Sequence, residues 1–217
     1  MKQSLLKNGI PENKIKLIPQ GVESQSFHTT RTRESFEGTF KVVFVGHLGF
    51  RKGLPYLLEA WDSLTFEDKQ LMLIGSEEEE IKPFLSHYRD REDIIFAGYT
   101  DPKTYLKEAT VFVCPSIEDG FGLVVLEALA MGVPVIVSQN TGAKDAVNNG
   151  ETGYQVPTGD KEAIAQALTQ LNSDRDLAYR MSQQATLKGQ EYDWSVYRRR
   201  LVETYRGLLN GSEREEK

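Results

Sequence analysis

The sequence predicts an α/β fold: a single domain on a mostly parallel six-stranded sheet with helices on both faces. Short apolar runs rich in Val, Ile and Phe begin near residues 40, 70, 94, 110, 133 and 153 and alternate with helical segments, the pattern of βα units joined by right-handed crossovers. The core runs are apolar throughout, as in strands covered on both faces. Two glycine-containing loops, after Gly46 and after Ser116, leave strands at their carboxyl ends, where sheets of this kind bind ligands.

A chain of 217 residues can bury one sizeable core or two small ones. Its 39% hydrophobic and 27% charged residues are those of a soluble globular protein, and 32 acids against 26 bases give a formal charge of −6. No general basic field is present to attract nucleic acid, so any phosphate site must be local. The lone Cys114 rules out an internal disulfide framework and reads as a packed thiol in a reducing compartment. No stretch approaches the ~20 apolar residues of a membrane span, and residues 1–7 lack a secretory apolar run. These features predict a cytoplasmic protein, with peripheral membrane contact left open.

In chain order, residues 1–23 read as a helix end, Gly9, a turn, the short apolar piece Ile15–Ile18 and Pro-Gln-Gly-Val-Glu; 29–38 read as a polar loop. Phe40–Gly46 has the composition of a core strand, and a loop with Arg51 and Lys52 leads to a helix over 54–64. Strand, glycine-containing loop and helix point backbone N–H groups and the two cations at an anion. Gly46, Gly49 and Gly53 only faintly echo a dinucleotide fingerprint, since the spacing differs. Gln70–Gly75 is the next strand, and the acids 77–80 open a helix whose dipole they complement. Ile94–Tyr99 and Val133–Ser138 are further strands, Gly150–Pro157 holds the last, and Asp160 begins a helix to about Leu171. Asp174-Arg-Asp176 has the acid-x-acid form of a metal site, but no core strand precedes it and it reads as a helix start. No metal is expected. A closing helix over 193–210 carries Arg198–Arg200 on a solvated face, and 211–217 read as a disordered charged tail.

The most informative stretch is Cys114–Gly132, a strand end, a polar turn and a helix whose Leu123, Val124, Leu126, Leu129, Ala130 and Met131 predict burial nearly all round. Glu127 sits in its middle. A carboxylate there needs a partner, either a structural Arg or Lys or the hydroxyls of a ligand. Asp119-Gly-Phe-Gly before it presents free N–H groups at a helix N-terminus, a ready phosphate site. Hydroxyls plus phosphate suggest a nucleotide-sugar.

The stretch resembles the signature of retaining glycosyltransferases of the two-domain GT-B fold, glycosyl transferase group 1 or family 4: an acid, seven residues, then Glu, with Phe121, Gly122, Ala128, Gly132 and Pro134 in register. Lys52-Gly53 matches the family's Lys-Gly motif. His47 stands where Arg is usual, and Asp119, beside Glu118, where Glu is usual. Residues 1–23 resemble the linker between the family's two domains.

The resemblance implies that residues 1–210 form the Rossmann-like, C-terminal half of a GT-B fold, which binds a UDP- or GDP-sugar donor without a metal or other cofactor. It also implies that the N-terminal acceptor domain belongs to a longer protein, with the isolated chain inactive without it. Lys52, with Arg51 or His47, would hold the diphosphate and stabilise the leaving group; Glu127 would accept ribose hydroxyls. Asp119 or Glu118 would hold hydroxyls of the sugar. The loop after Gly46 and the backbone of Gly120, Phe121, Gly122, Leu123 and Val124 would meet the donor, and Tyr99 would stack on the base or pack. The acceptor is not implied.

Overall fold

In the computed structural model, which describes residues 2–24 and 26–215, all six runs are strands. They are β1 (Phe40–Val45), β2 (Lys69–Ile74), β3 (Ile94–Gly98), β4 (Val111–Cys114), β5 (Val135–Ser138) and β6 (Gly153–Val156). Every pairing is parallel, in the order β3-β2-β1-β4-β5-β6. The chain therefore steps outwards from β1 to β3 and then returns to build the other half from β4. The β1/β4 junction is the switch point, where connections diverge to opposite sides and leave a crevice at the carboxyl edge.

The helices are α1 (Lys2–Lys7), α2 (Leu54–Asp62), α3 (Lys82–Leu85), α4 (Lys103–Glu108), α5 (Leu123–Ala130), α6 (Lys161–Ser173), α7 (Arg175–Gln190) and α8 (Trp194–Glu215). Strand side chains alternate between faces. Phe40, Val42 and Phe44 of β1 bury against Leu57 and Trp61 of α2 and Leu168 of α6. Val43, Met72 and Phe112 bury against Val125, Leu126 and Leu129 of α5. Both faces are covered, so Val42–Phe44 of β1, Leu71–Ile74 of β2 and Val111–Cys114 of β4 are buried, and this is why these strands read as apolar runs; Lys41, Lys69 and Gln70 sit at the half-buried starts of β1 and β2. Among the described residues, no helix is long and apolar enough to cross a membrane.

The acid-x-acid motif is a helix cap. Asp174 accepts a hydrogen bond from the Leu177 N–H at 2.7 Å, Asp160 does the same for Ala163 at 2.8 Å, and Asp176 pairs with Arg33. Cys114 is a packed thiol, 5% exposed, and burial pushes its pKa up.

Four expectations are corrected. Residues 29–38 are more than a polar loop: Arg33–Phe36 form a 3-10 turn and Phe36 is wholly buried. Beneath it Arg31 donates to the Leu106 carbonyl at 3.2 Å and to that of Ala109, closing the C-terminus of α4; burial pushes its pKa down to about 10. The acids after β2 open a 3-10 turn, Glu79–Ile81, and a one-turn helix, in which Glu79 pairs with Lys82 and Glu77 with Arg89. The closing helix continues to Glu215 rather than ending near 210. Glu213, Arg214 and Glu215 are good helix formers, and Gly211 weakens the run by only about 1 kcal/mol; residues 216 and 217 lie outside the described residues. Finally, α5 is not buried all round, since Leu123 is 46% exposed and Val124 and Glu127 are half-buried. That open side faces the crevice.

Candidate donor-binding site

Two adjoining cavities occupy the carboxyl edge of the sheet and share Val45, Gly46 and His47 at the end of β1. The first, about 340 Å³, lies at the switch point between the loop after β1, which supplies Gly46, His47 and Lys52, and the loop after β4. The latter supplies Asp119, Phe121 and Gly122, and then Leu123 and Val124 at the start of α5. The second, about 390 Å³, lies over the ends of β2 and β3, with Gly75, Ser76, Tyr99 and Asp101 in its wall.

The loops are fixed by backbone contact. Gly53 has φ +69°, and a Cβ there would lie 2.1 Å from the Pro115 carbonyl oxygen, so only glycine lets the loop after β1 rest against the loop after β4. On the other side the Gly142 N–H donates to the Asp119 carbonyl at 3.2 Å, and a Cβ on Gly142 would lie 2.2 Å from the Gly120 carbonyl oxygen. Three loops thus stack edge to edge and place Asp119.

The electrostatics centre on one pair. Lys52 Nζ lies 2.6 Å from Asp119 Oδ2, with the two side chains 16% and 15% exposed. Helix α5 begins at Gly122, which offers no side-chain cap, and among the described residues the Leu123 and Val124 N–H groups have no acceptor. A cation and the positive end of a helix therefore open into one cavity, an arrangement that binds anions. The His47 ring is held by a 2.9 Å hydrogen bond between Nδ1 and the Ser76 hydroxyl.

Two alternatives left open by the sequence part here. His47 lines both cavities, whereas Arg51 is exposed, bonds the Glu118 carbonyl at 3.4 Å and faces a separate hollow beside Phe50 and Tyr56. Asp119 lines the first cavity, whereas Glu118 is exposed outside it. Gly120 is set back, its carbonyl against Gly142. Tyr99 is 92% exposed, which removes the packing alternative. The turn before α2 brings Lys52 to the site, but the N–H groups of α2 do not reach it: its first turn starts after Gly53, outside both linings.

The Glu127 carboxylate has no hydrogen bond or ion pair among the described residues, while its backbone carbonyl accepts from the Met131 N–H at 3.1 Å. Burial raises its pKa, Lys103 opposes this and Asp101 adds to it. It lies one turn along α5 from Leu123 and Val124 and is absent from both linings, with Asp101 of the second cavity in electrostatic reach. Among the described residues no Arg or Lys forms an ion pair with Glu127, and Lys103 acts on it only at longer range. Reading the sequence missed Gln20, which lines the first cavity, and Ser76 and Asp101 in the second; only the Pro-Gln-Gly turn gave a signal for Gln20. Among the described residues no three His, Cys, Asp or Glu side chains gather in a metal-binding group.

Residues 28–188 match the family model of the glycosyl transferases group 1. The chain belongs to this family. Among relatives of this chain, the capsular polysaccharide biosynthesis glycosyltransferase CapM of Staphylococcus aureus is 32% identical over 78% of this chain and 45% of its own. The chain spans about half the length of the curated relatives it matches. Among solved structures, the C-terminal domain of the group 1 protein LpcC from Francisella tularensis superposes with TM-score 0.72 and 24% identity, over 80% of this chain and 100% of that one. HepE of Anabaena in complex with UDP superposes with TM-score 0.83 and 18% identity, over 95% of this chain and 61% of that one. The fold is that of the C-terminal half of a GT-B glycosyltransferase.

Proposed function

We propose that this glycosyltransferase domain binds a UDP- or GDP-sugar and supports retaining transfer of the sugar to an acceptor held by an N-terminal half. The observation that carries this reading is the convergence of Lys52 and the open N-terminus of α5 on one cavity that adjoins a second at the switch point. The diphosphate fits the first cavity. There Lys52 and the Leu123 and Val124 N–H groups would stabilise negative charge as the leaving group departs, work that calls for neither a metal nor another cofactor. Gly46 and His47 would border the diphosphate between the cavities. Asp119 would accept sugar hydroxyls, Glu127 the ribose hydroxyls, and Tyr99 would present its ring to the base. HepE, of the same fold, is the UDP-bound precedent. Retention rests on the resemblance of the motif alone.

The half-length coverage of the relatives favours a chain that binds donor but transfers little by itself. A calorimetric panel of UDP, GDP, ADP, their sugar conjugates and NADH tests the assignment. One nucleoside diphosphate and its sugar conjugate should bind; tighter binding of NADH than of any of them would refute it. Sugar transfer by the 217-residue chain alone would refute the dependence on a second half.

A further inference from the structure

Lys52 is the only Lys or Arg in the lining of the first cavity among the described residues, yet it is already engaged by Asp119. The two partners differ in freedom. Lys52 carries its charge on a long flexible stem. Asp119 is held by its backbone: its N–H donates to the Asn140 carbonyl at 3.4 Å, its carbonyl accepts from Gly142 at 3.2 Å, and it bridges to Thr141. When a diphosphate draws Lys52 away, Asp119 stays at the cavity wall, largely shielded from water and without its cation. Removing one partner of such a pair is strongly unfavourable, because the remaining charge is left uncompensated.

A free nucleoside diphosphate meets that penalty in full and adds its own negative charge beside the carboxylate. A nucleotide-sugar differs, since hydroxyls of the sugar can donate to Asp119 as Lys52 leaves. We infer that the Lys52–Asp119 pair is a specificity device selecting nucleotide-sugar over bare nucleoside diphosphate. It also drives product release: once the sugar has been transferred, Asp119 recaptures Lys52 and the diphosphate loses its cation. This inference rests on the donor-site reading above, and it makes Asp119 a competitor of the phosphate as well as a ligand of the sugar.

Calorimetry with UDP, UDP-glucose, GDP and GDP-mannose on the 217-residue chain and its Asp119→Asn and Asp119→Ser variants tests it. In the wild type the sugar conjugate should bind about tenfold or more tightly than its nucleoside diphosphate, a modest fraction of the effect of unpairing a buried charge. In either variant the nucleoside diphosphate should tighten about tenfold and the conjugate's advantage should shrink towards unity. If Asp119 only holds Lys52 in place, the variants would bind the nucleoside diphosphate more weakly, and that result overturns the inference. So does equal affinity for conjugate and diphosphate in the wild type, which needs no variant to fold. Wild type that binds none of the four ligands refutes the donor-site reading itself.

Discussion

Among the described residues the half-buried Glu127 carboxylate makes no hydrogen bond or ion pair, and burial is the first cause of its raised pKa. The folded chain therefore holds a proton there more tightly than the unfolded chain. Stability is greatest below the ordinary glutamate value of 4.5 and falls as pH rises through the raised value. Glu127→Gln removes this strain. Scanning calorimetry at pH 7 should show a higher melting temperature, by roughly 2–4 °C if about 1 kcal/mol is recovered, while binding of the nucleotide-sugar is lost. A variant that melts lower and binds normally would make the carboxylate structural. Lys52→Ala should weaken a nucleoside diphosphate by roughly 1.5–3 kcal/mol, the range for a charge-assisted hydrogen bond; unchanged affinity in a titration would dismiss its phosphate role. The residue types of the candidate site were legible in the sequence, but their directions were not. His47 and Arg51 are four residues apart on one loop, as Glu118 and Asp119 are adjacent, and only the turn geometry decides which member of each pair faces inward.

At the scale of elements, the site depends on close backbone contact between loops. Gly53→Ala places a methyl group 2.1 Å from the Pro115 oxygen in a left-handed conformation. The conformation alone costs about 1–2 kcal/mol, and relief of the clash must part the two loops. Thermal denaturation should show a loss of at least several degrees, and diphosphate affinity should fall together with it. Unchanged affinity would separate the loop contact from the phosphate site. The strands were readable because burial on both faces makes the middle of each inner strand apolar, with polar residues such as Lys41, Gln70 and Ser138 near the strand ends. The segment 29–38 was misread because Phe36 and Arg31 are isolated among polar neighbours, and their burial depends on contacts with α4 and with Tyr179 of α7 that no local pattern encodes. The open side of α5 was hidden for the converse reason: apolar residues that line a cavity look like core.

At the scale of the whole molecule, the N-terminal segment is laced to the start of the closing helix. The Val22 N–H donates to the Tyr192 carbonyl at 2.7 Å and the Trp194 N–H to the Val22 carbonyl at 3.1 Å. Asp193, between them, accepts from the Ser195 N–H and the Ser24 hydroxyl, which push its pKa down to about 2. A depressed carboxylate contributes stability that is present above the ordinary aspartate value of 3.8 and is lost as pH falls through about 2. Asp193→Asn should therefore flatten the acid limb of the stability curve between those values, as followed by circular dichroism. An unchanged limb would show that the latch carries no charge-dependent stability.

The stacked loops bear on how such a domain can be re-engineered. Pro115 meets Gly53 on one side, and Gly120 meets Gly142 on the other, through backbone atoms whose spacing leaves no room for a side chain. A segment transplanted singly from a relative of different sugar preference would arrive without the backbone it leans on. The segments 46–53, 115–122 and 139–143 form one cassette, and donor preference would be exchanged by moving all three together.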